Sequence, residues 1–190
     1  MHDLPYVKSK FLGPETVASM TRVCSAVRNI IPPSIPCGVQ TLAAANEEAI
    51  AVALASGCNF IRAEGFVFGH VADEGYIDSC AGTLLRYRTK VKANKILVFT
   101  DIKKKHSSHS ITADTSIEEV AKAAEFFLSD GIIITGSATG IEANVEELKR
   151  VKEAVQLPVI VGSGITAENI QKFAHADAFI VGSSLKYDGR

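Results

Sequence analysis

The chain has 190 residues, of which 47% are hydrophobic, and its formal net charge is −1 at pH 7. This length suits one domain with a sizeable core, or a piece of a larger domain. The near-neutral charge argues against a nucleic-acid-binding surface. No apolar run approaches the ~20 residues of a membrane helix, so no membrane span is expected.

The cysteines indicate neither a zinc site nor a disulfide framework, because they are scattered without a paired spacing: Cys24, Cys37, Cys58 and Cys80. They are typical of reduced thiols in an intracellular protein. The first ten residues, "MHDLPYVKSK", lack the apolar core of a signal peptide and the composition of a transit segment. We therefore expect a cytoplasmic location, with organelle targeting left open if Met1 is not the natural start.

Helix signals alternate with short apolar stretches along the chain. The first predicted helix begins at Pro14, and Asn46 is expected to cap a second helix that Gly57 ends. Ser116 with Glu119 has the spacing of a capping box. The remaining helices are expected to start at Asn144, again with Glu three residues later, and at Thr166. Strands are predicted over residues 37–42, 59–64, 95–101, 131–136, 158–162 and 178–182.

This regular strand-then-helix order predicts parallel strands, since each helical crossover returns the chain in the same direction. No G-x-G-x-x-G turn follows the first strand, which argues against a dinucleotide-binding sheet. A (β/α)8 barrel of the TIM type is favoured, with six of its eight βα units present in one domain over residues 1–190. Polar residues recur at the predicted strand ends, as barrel active sites require: Gln40, Glu64, Asp101, Thr135, Ser163 and Ser183.

Two Gly-Ser turns follow the last two predicted strands. One is Gly162-Ser163-Gly164 and the other is Gly182-Ser183-Ser184. Glycine lets the backbone approach an anion closely, and backbone N–H groups hold phosphate without a counter-charge. Adjacent parallel strands would bring both turns to one rim. The alternative is that Gly and Ser only make tight strand-to-helix turns, but two consecutive turns favour phosphate binding.

Charged residues mark two other strand ends. The alternation of "NFIRAEG" puts Arg62 and Glu64 on the interior face of a barrel, and Asp101 ends the next strand. Glu64 and Asp101 could hold a divalent metal or divide acid and base roles. An internal salt-bridge layer that includes Arg62 is the structural alternative.

The segment "DIKKKHSSHS" follows Asp101 directly, where loops often carry function. Lys105 and His106 could contact an anionic substrate or transfer a proton. His106 and His109 have a spacing compatible with metal ligation, while His70 gains nothing from local spacing. A solvated basic loop is the alternative. Residues 64–80 are interpreted either as a lid that moves at its glycines or as a packed loop.

Several segments together resemble the BtpA family: "LGPETVASMT", "FIRAEGFVFGHVADEGYID", "LLRYR", "DIKKKH", "IIITGSATG", "VIVGSGITAENI" and "AFIVGSSLK". The resemblance runs in order over nearly the whole chain. It implies a (β/α)8 barrel related to phosphate-binding barrels, but no settled reaction, cofactor or metal. Its acidic strand end falls on Glu64, and its Asp-x-x-x-Lys-His stretch falls on Asp101, Lys105 and His106. Its Gly-Ser turns fall on residues 162–164 and 182–184.

The resemblance also implies two strands before Met1 and a helix after Arg190. We therefore expect a fragment, an alternative-start isoform or a mistaken gene model, in which any catalysis of the family is lost. The leading functional prediction is a barrel whose full-length form acts on a small phosphorylated metabolite. The alternative is a non-catalytic assembly factor, and a homo-oligomer or another protein partner is left open.

Overall fold

The computed structural model describes residues 5–187. The expectations about Met1 and Arg190 therefore lie outside the described residues. The helices are α1 (Pro14–Ile30), α2 (Asn46–Ser56), α3 (Ala81–Lys90), α4 (Ile117–Phe126) and α5 (Val145–Ala154). Short 3-10 helices occur at Ser9–Phe11, Ser110–Thr112, Ile170–Phe173 and Ser183–Leu185.

The strands are β1 (Gly38–Val39), β2 (Phe60–Ala63), β3 (His70–Ala72), β4 (Gly75–Ile77), β5 (Leu97–Asp101), β6 (Ser107–Ser108), β7 (Gly131–Ile134), β8 (Val159–Val161) and β9 (Ala178–Phe179). One sheet has the order β1-β2-β5-β7-β8-β9, and a second has the order β4-β3-β6. The pairings β1–β2, β7–β8 and β8–β9 are parallel. All six predicted strands are confirmed, although every one of them is shorter than predicted.

The chain divides into two compact units. The first contains the chain up to Glu64 together with Cys80–Phe99. Its core lies where the apolar face of α2 meets β2, and its fully buried residues include Ile50, Ile61 and Leu84. The alternation in β2 is confirmed, since Ile61 and Ala63 are buried while Phe60 and Arg62 are half-buried.

The second unit contains Gly65–Ser79 and the chain from Thr100 onward. Its core is built on β7 and β8, where every residue of β7 is buried and Val159 and Val161 are fully buried. Helices α4 and α5 cover these strands with Val120, Ala121, Leu148 and Val151. A continuous apolar strand such as "GIII" is typical of a parallel sheet that is covered on both faces.

Four predicted helix signals are confirmed. Pro14 is the first residue of α1, and Gly57 ends α2 with a left-handed φ of 76°. Ser116 and Glu119 make a complete capping box at α4. Asn144 caps α5 by accepting hydrogen bonds from the backbone N–H groups of Glu146 and Glu147.

Two helix predictions are wrong. Asn46 is not a cap but the first residue of α2, because its side-chain amide bonds the backbone of Glu64 instead. No α-helix begins at Thr166, and only the 3-10 turn Ile170–Phe173 follows β8. The Asn169 side chain bonds back to Thr166 N and Gly164 O, and this compact turn replaces helical hydrogen bonds.

The segment 64–80 contains an antiparallel hairpin that the sequence analysis missed. Strand β3 pairs with β4 on one side and with β6 on the other. The two strands are joined by a tight turn in which Gly75 has a φ of 100°. The segment is therefore not a loop throughout, since it contributes β3 and β4 to a three-stranded sheet.

The capping box of α4 provides a stability test. Ser116 Oγ accepts from Glu119 N at 3.2 Å, and Glu119 Oε2 accepts from Ser116 N at 2.7 Å. Substitution Ser116→Ala should lower the free energy of unfolding by about 1 kcal/mol, because the backbone N–H of Glu119 loses its acceptor, Ser116 Oγ. Urea denaturation measures this difference. Ser137→Ala, at an exposed loop position, is the matched control and should change stability by less than about 0.5 kcal/mol.

Candidate functional site

An open groove of about 240 Å³ lies in the second unit, at the carboxyl ends of β8 and β9. We call it the Gly-Ser groove, and its lining residues are Gly140, Gly164, Ile165, Thr166, Gly182, Ser183 and Ser184. Four of the six predicted phosphate-binding residues therefore line one groove. The other two, Gly162 and Ser163, are buried beneath it.

The strand pairing brings the two turns together. Gly162 N donates to Ile134 O at 2.8 Å, and Ile180 N donates to Val161 O at 2.9 Å, so the parallel ladder continues to the start of each turn. Ser184 Oγ then donates to Ile165 O at 3.1 Å and joins one turn directly to the other. The groove is thus built from adjacent strand ends, as the sequence analysis expected.

The groove presents backbone N–H groups that have no hydrogen-bond acceptor within residues 5–187. They belong to Gly164, Ile165, Gly182, Ser183 and Ser184. Gly182 and Ser184 are exposed, and Gly164 and Ser183 are half-buried. Converging N–H groups that no other part of the described chain uses are the donors that an anion would need.

The loop between β7 and α5 forms one wall of the groove. Gly164 has a φ of 64°, and a Cβ atom at this position would collide with the backbone of Ile141 and Glu142. Ser163 Oγ donates to Ala138 O at 3.1 Å, and Asn169 Nδ2 donates to Glu142 Oε2 at 3.0 Å. Only glycine at position 164 permits this close packing of loop against turn.

Lys105 and His106 lie beside the same loop. Lys105 N donates to Thr135 Oγ1 at 3.0 Å, and Lys105 Nζ donates to Thr139 Oγ1 at 3.2 Å. His106 Nε2 is 3.0 Å from the same Thr139 hydroxyl. Thr139 precedes Gly140 in the groove wall, so the structure brings these two predicted residues next to the Gly-Ser groove.

Glu64 lies in the first unit, and the other predicted site residues lie in the second. Glu64 is buried, and its carboxylate accepts hydrogen bonds from Gln40 Nε2 and Ala44 N, both at 3.1 Å. Asp101 is also buried, at the end of β5. Within residues 5–187, no three His, Cys, Asp or Glu side chains are grouped so that they could hold a metal ion.

A second, smaller cavity in the second unit contains a histidine that the sequence analysis did not single out. His70 on β3 is only 4% exposed. Burial, together with the neighbouring Lys104 and His109, lowers the pKa of His70 to about 4. His70 lay outside every local motif, since β3 reaches this cavity only through the hairpin pairing. The available signal for that hairpin was the short pair "HVA" and "GYI" on either side of the two-residue turn Asp73-Glu74.

Comparisons with known proteins identify relatives of the chain. The sequence profile of the BtpA family matches residues 1–190. The uncharacterized protein F13E9.13 of Caenorhabditis elegans, described as mitochondrial, is 54% identical over 100% of this chain and 69% of its own length. The photosystem I biogenesis protein BtpA of Synechocystis is 33% identical over 98% of this chain and 64% of its own length.

Solved TIM-barrel enzymes share the fold. Phosphoribosyl anthranilate isomerase from Thermus thermophilus has a TM-score of 0.61 at 13% identity, over 89% of this chain and 72% of that one. Orotidine 5'-monophosphate decarboxylase from Methanocaldococcus jannaschii has a TM-score of 0.58 at 18% identity, over 89% of this chain and 74% of that one. The predicted fold class is confirmed.

Among the described helices, none combines the length and apolar character that a membrane span requires.

The lowered pKa of His70 predicts a pH dependence of stability. Its folded pKa of about 4 lies below the ordinary value of 6.5, so between these values the unfolded chain takes up a proton that the folded chain does not. Stability contributed by neutral His70 is therefore complete above about pH 6.5 and is lost as the pH falls towards about 4. The expected loss at about pH 4.5 is on the order of 2–3 kcal/mol.

Urea denaturation at about pH 7 and about pH 4.5 measures this loss. His70→Gln removes the titrating group and should reduce the difference in unfolding free energy between the two pH values. His175→Gln, at an exposed position, should retain the full difference. An identical pH dependence in the wild type and His70→Gln would contradict the assignment.

Proposed function

Because the chain belongs to the BtpA family and has the fold of TIM-barrel enzymes, we propose that its Gly-Ser groove holds the phosphate of a small metabolite. In this proposal, the full-length protein acts enzymatically on that metabolite. The observation that carries the proposal is the set of five backbone N–H groups around the groove that have no acceptor among the described residues.

The chemistry of the groove suits a phosphate group better than a carboxylate or a cation. The polar part of the lining offers amide N–H groups and hydroxyls beside the apolar Ile165, and it contains no acidic side chain. A phosphate offers several oxygens to such donors, and glycine lets the backbone approach those oxygens closely. The hydroxyls of Thr166 and Ser183 supply further donors at the same surface.

Lys105 and His106 are the proposed assisting residues. Both contact the Thr139 hydroxyl beside the groove wall. A lysine ammonium is a strongly hydrated point charge that attracts a phosphate dianion without fixing its orientation. His106 is exposed and would exchange protons with a ligand bound at the groove.

Glu64 and Asp101 are the proposed acid–base residues of the full-length protein. Both are buried carboxylates, Glu64 directly after β2 and Asp101 at the end of β5, and strand ends are where barrel enzymes place their reactive groups. The bonds from Gln40 and Ala44 hold Glu64 in one orientation. Such a fixed orientation is what a proton-transfer group requires.

The names of the fold neighbours are consistent with phosphate recognition, since they specify a phosphoribosyl compound and a nucleoside monophosphate.

A second candidate function, a non-catalytic assembly factor, is favoured by the name of the Synechocystis relative. It would use exposed apolar side chains such as Phe126 and Leu128, which are 80% and 68% exposed. That function predicts a stable protein partner and indifference to phosphate ligands.

Gly182→Val tests the phosphate grip. A Cβ atom at Gly182 would meet no other atom within 4 Å, so the fold should tolerate the change. The branched side chain would occupy open space at the groove and hinder close approach of the anion. We expect the dissociation constant for inorganic phosphate, measured by isothermal titration calorimetry, to rise at least about tenfold, which corresponds to about 1.4 kcal/mol.

Ala167→Val is the matched control, because Ala167 is exposed beside the groove but does not line it. The Ala167→Val variant should bind inorganic phosphate with the same dissociation constant as the wild type. Unchanged binding in a folded Gly182→Val variant would refute the proposed grip, and so would a wild-type protein that does not bind phosphate at all.

A further inference from the structure

Three of the four cysteines converge in the first unit, although the sequence scatters them. Cys24 lies on α1, Cys37 directly precedes β1, and Cys58 lies between α2 and β2. Their thiols are free, with Cys24 and Cys37 half-buried and Cys58 buried. We call these three residues the thiol cluster, and the proposed function makes no use of it.

Strand pairing places Cys37 beside Cys58. Cys37 N donates to Asn59 Oδ1 at 2.9 Å, and Asn59 N donates to Cys37 O at 2.7 Å, so Cys37 is paired with the residue that follows Cys58. Cys24 joins them from α1, and burial, together with the neighbouring Cys58 and Cys37, raises the pKa of the Cys24 thiol. Because Cys24 therefore stays protonated at neutral pH and Cys58 is buried, Cys37 is the thiol best placed to react first.

Arg28 brings a charged donor to the thiol cluster. It lies one helical turn after Cys24, on the same face of α1, since the two positions are four residues apart. Arg28 Nη1 donates to Cys37 Sγ at 2.9 Å. The stem of the side chain passes Gly57, where a Cβ atom would lie 3.7 Å from Arg28 Cγ. One side chain thus connects the helix that carries Cys24 with Cys37 and with the residue before Cys58.

The backbone of the loop after α1 fixes the guanidinium of Arg28. Its Nη2 donates to Ile31 O and Pro32 O, both at 2.6 Å, and its Nη1 also donates to Ile35 O at 2.7 Å. Within residues 5–187 no carboxylate pairs with this guanidinium. Its positive charge therefore remains available to stabilise negative charge on the Cys37 sulfur, as at other reactive cysteines.

Oxidation suits the thiol cluster better than metal binding. In the part of the chain that the structure describes, no three His, Cys, Asp or Glu side chains are arranged to hold a metal ion. A half-buried thiol beside an arginine, with a second thiol close by, is instead the arrangement of redox-sensitive cysteines. The fourth cysteine differs, because Cys80 Sγ accepts from the neutral amide of Asn46 at 3.2 Å.

We propose that the thiol cluster is an oxidation site, at which Cys37 reacts with hydrogen peroxide and then forms a disulfide with Cys24. The Cys37 sulfur attacks one peroxide oxygen and the O–O bond breaks. The leaving hydroxide takes up the proton that the Cys37 thiol released, which gives water and a sulfenic acid. The Cys24 sulfur then attacks the Cys37 sulfur, the S–O bond breaks, and hydroxide leaves with the Cys24 proton as a second water. The two thiols lose two electrons, and the peroxide accepts them.

The experiment treats the reduced, folded protein with hydrogen peroxide and follows each cysteine by differential alkylation and peptide mass spectrometry. In the wild type, Cys37 should be oxidised at least about tenfold faster than Cys80, and a Cys24–Cys37 disulfide that dithiothreitol reverses should accumulate. Cys24→Ser should leave Cys37 as a sulfenic acid that dimedone traps. Cys80→Ser is the matched control and should give the same disulfide at the wild-type rate.

Variants of Arg28 test its role as a positioning residue. Arg28→Gln offers only a neutral donor and should slow the oxidation of Cys37 about tenfold. Arg28→Lys keeps the positive charge and should retain most of the wild-type rate. Both variants lose most of the bonds to the loop carbonyls, so a merely structural role of Arg28 would slow oxidation equally in the two.

The wild type alone can overturn this inference, whether or not the variants fold. Equal oxidation rates of Cys37 and Cys80 would contradict it. A disulfide that joins Cys58 to either of the other two cysteines would contradict the assigned pair. A Cys37 sulfenic acid that persists beside a reduced Cys24 would contradict the second step.

Discussion

The parallel pairing of β7, β8 and β9 is the constraint on which the candidate site depends. It turns three separate segments of the chain in the same direction, so that the turns after β8 and β9 emerge at one edge. The apolar strands "GIII" and "VIV" supply the buried area that maintains this pairing. Small residues are sufficient at this edge, because the strands position the backbone of the turns. No large side chain is needed to hold the turns in place.

The same edge shows why unpaired N–H groups persist there. A backbone that continued as strand or helix would use its own donors, but the short turns after β8 and β9 leave these donors without an acceptor in residues 5–187. Asn169 satisfies Thr166 N and Gly164 O by side-chain bonds, which fixes the first turn without occupying the groove donors. The packing of Gly164 against Ile141 and Glu142 fixes the opposite wall. The groove is thus held in shape by contacts that lie outside it.

Sequence patterns predicted those features that depend on local chemistry. The six parallel strands follow from apolar runs, and the caps at Ser116 and Asn144 follow from fixed spacings. The Gly-Ser turns were recognisable because consecutive strands end in the same residue types. The role of Gly162 and Ser163 beneath the groove was not recognisable, since it depends on their bonds to Ile134 and Ala138.

Features that depend on long-range contacts escaped the sequence analysis. Asn46 has the residue type of a helix cap, but Glu64, eighteen positions away, captures its amide. His70 has no informative neighbours in sequence, and β3 is recognisable only through its pairing with β4 and β6. In both cases hydrogen bonds between distant segments decide where the residue lies.

An NMR titration with inorganic phosphate tests the central claim most directly, because it observes the proposed donors one by one. The account predicts that the 1H–15N signals of Gly164, Ile165, Gly182, Ser183 and Ser184 shift together and saturate with one dissociation constant. Signals of the exposed Phe126-Phe127-Leu128 segment should stay in place. Phosphate-dependent shifts confined to Lys103–Lys105, or no saturable shift in the groove, would contradict the account.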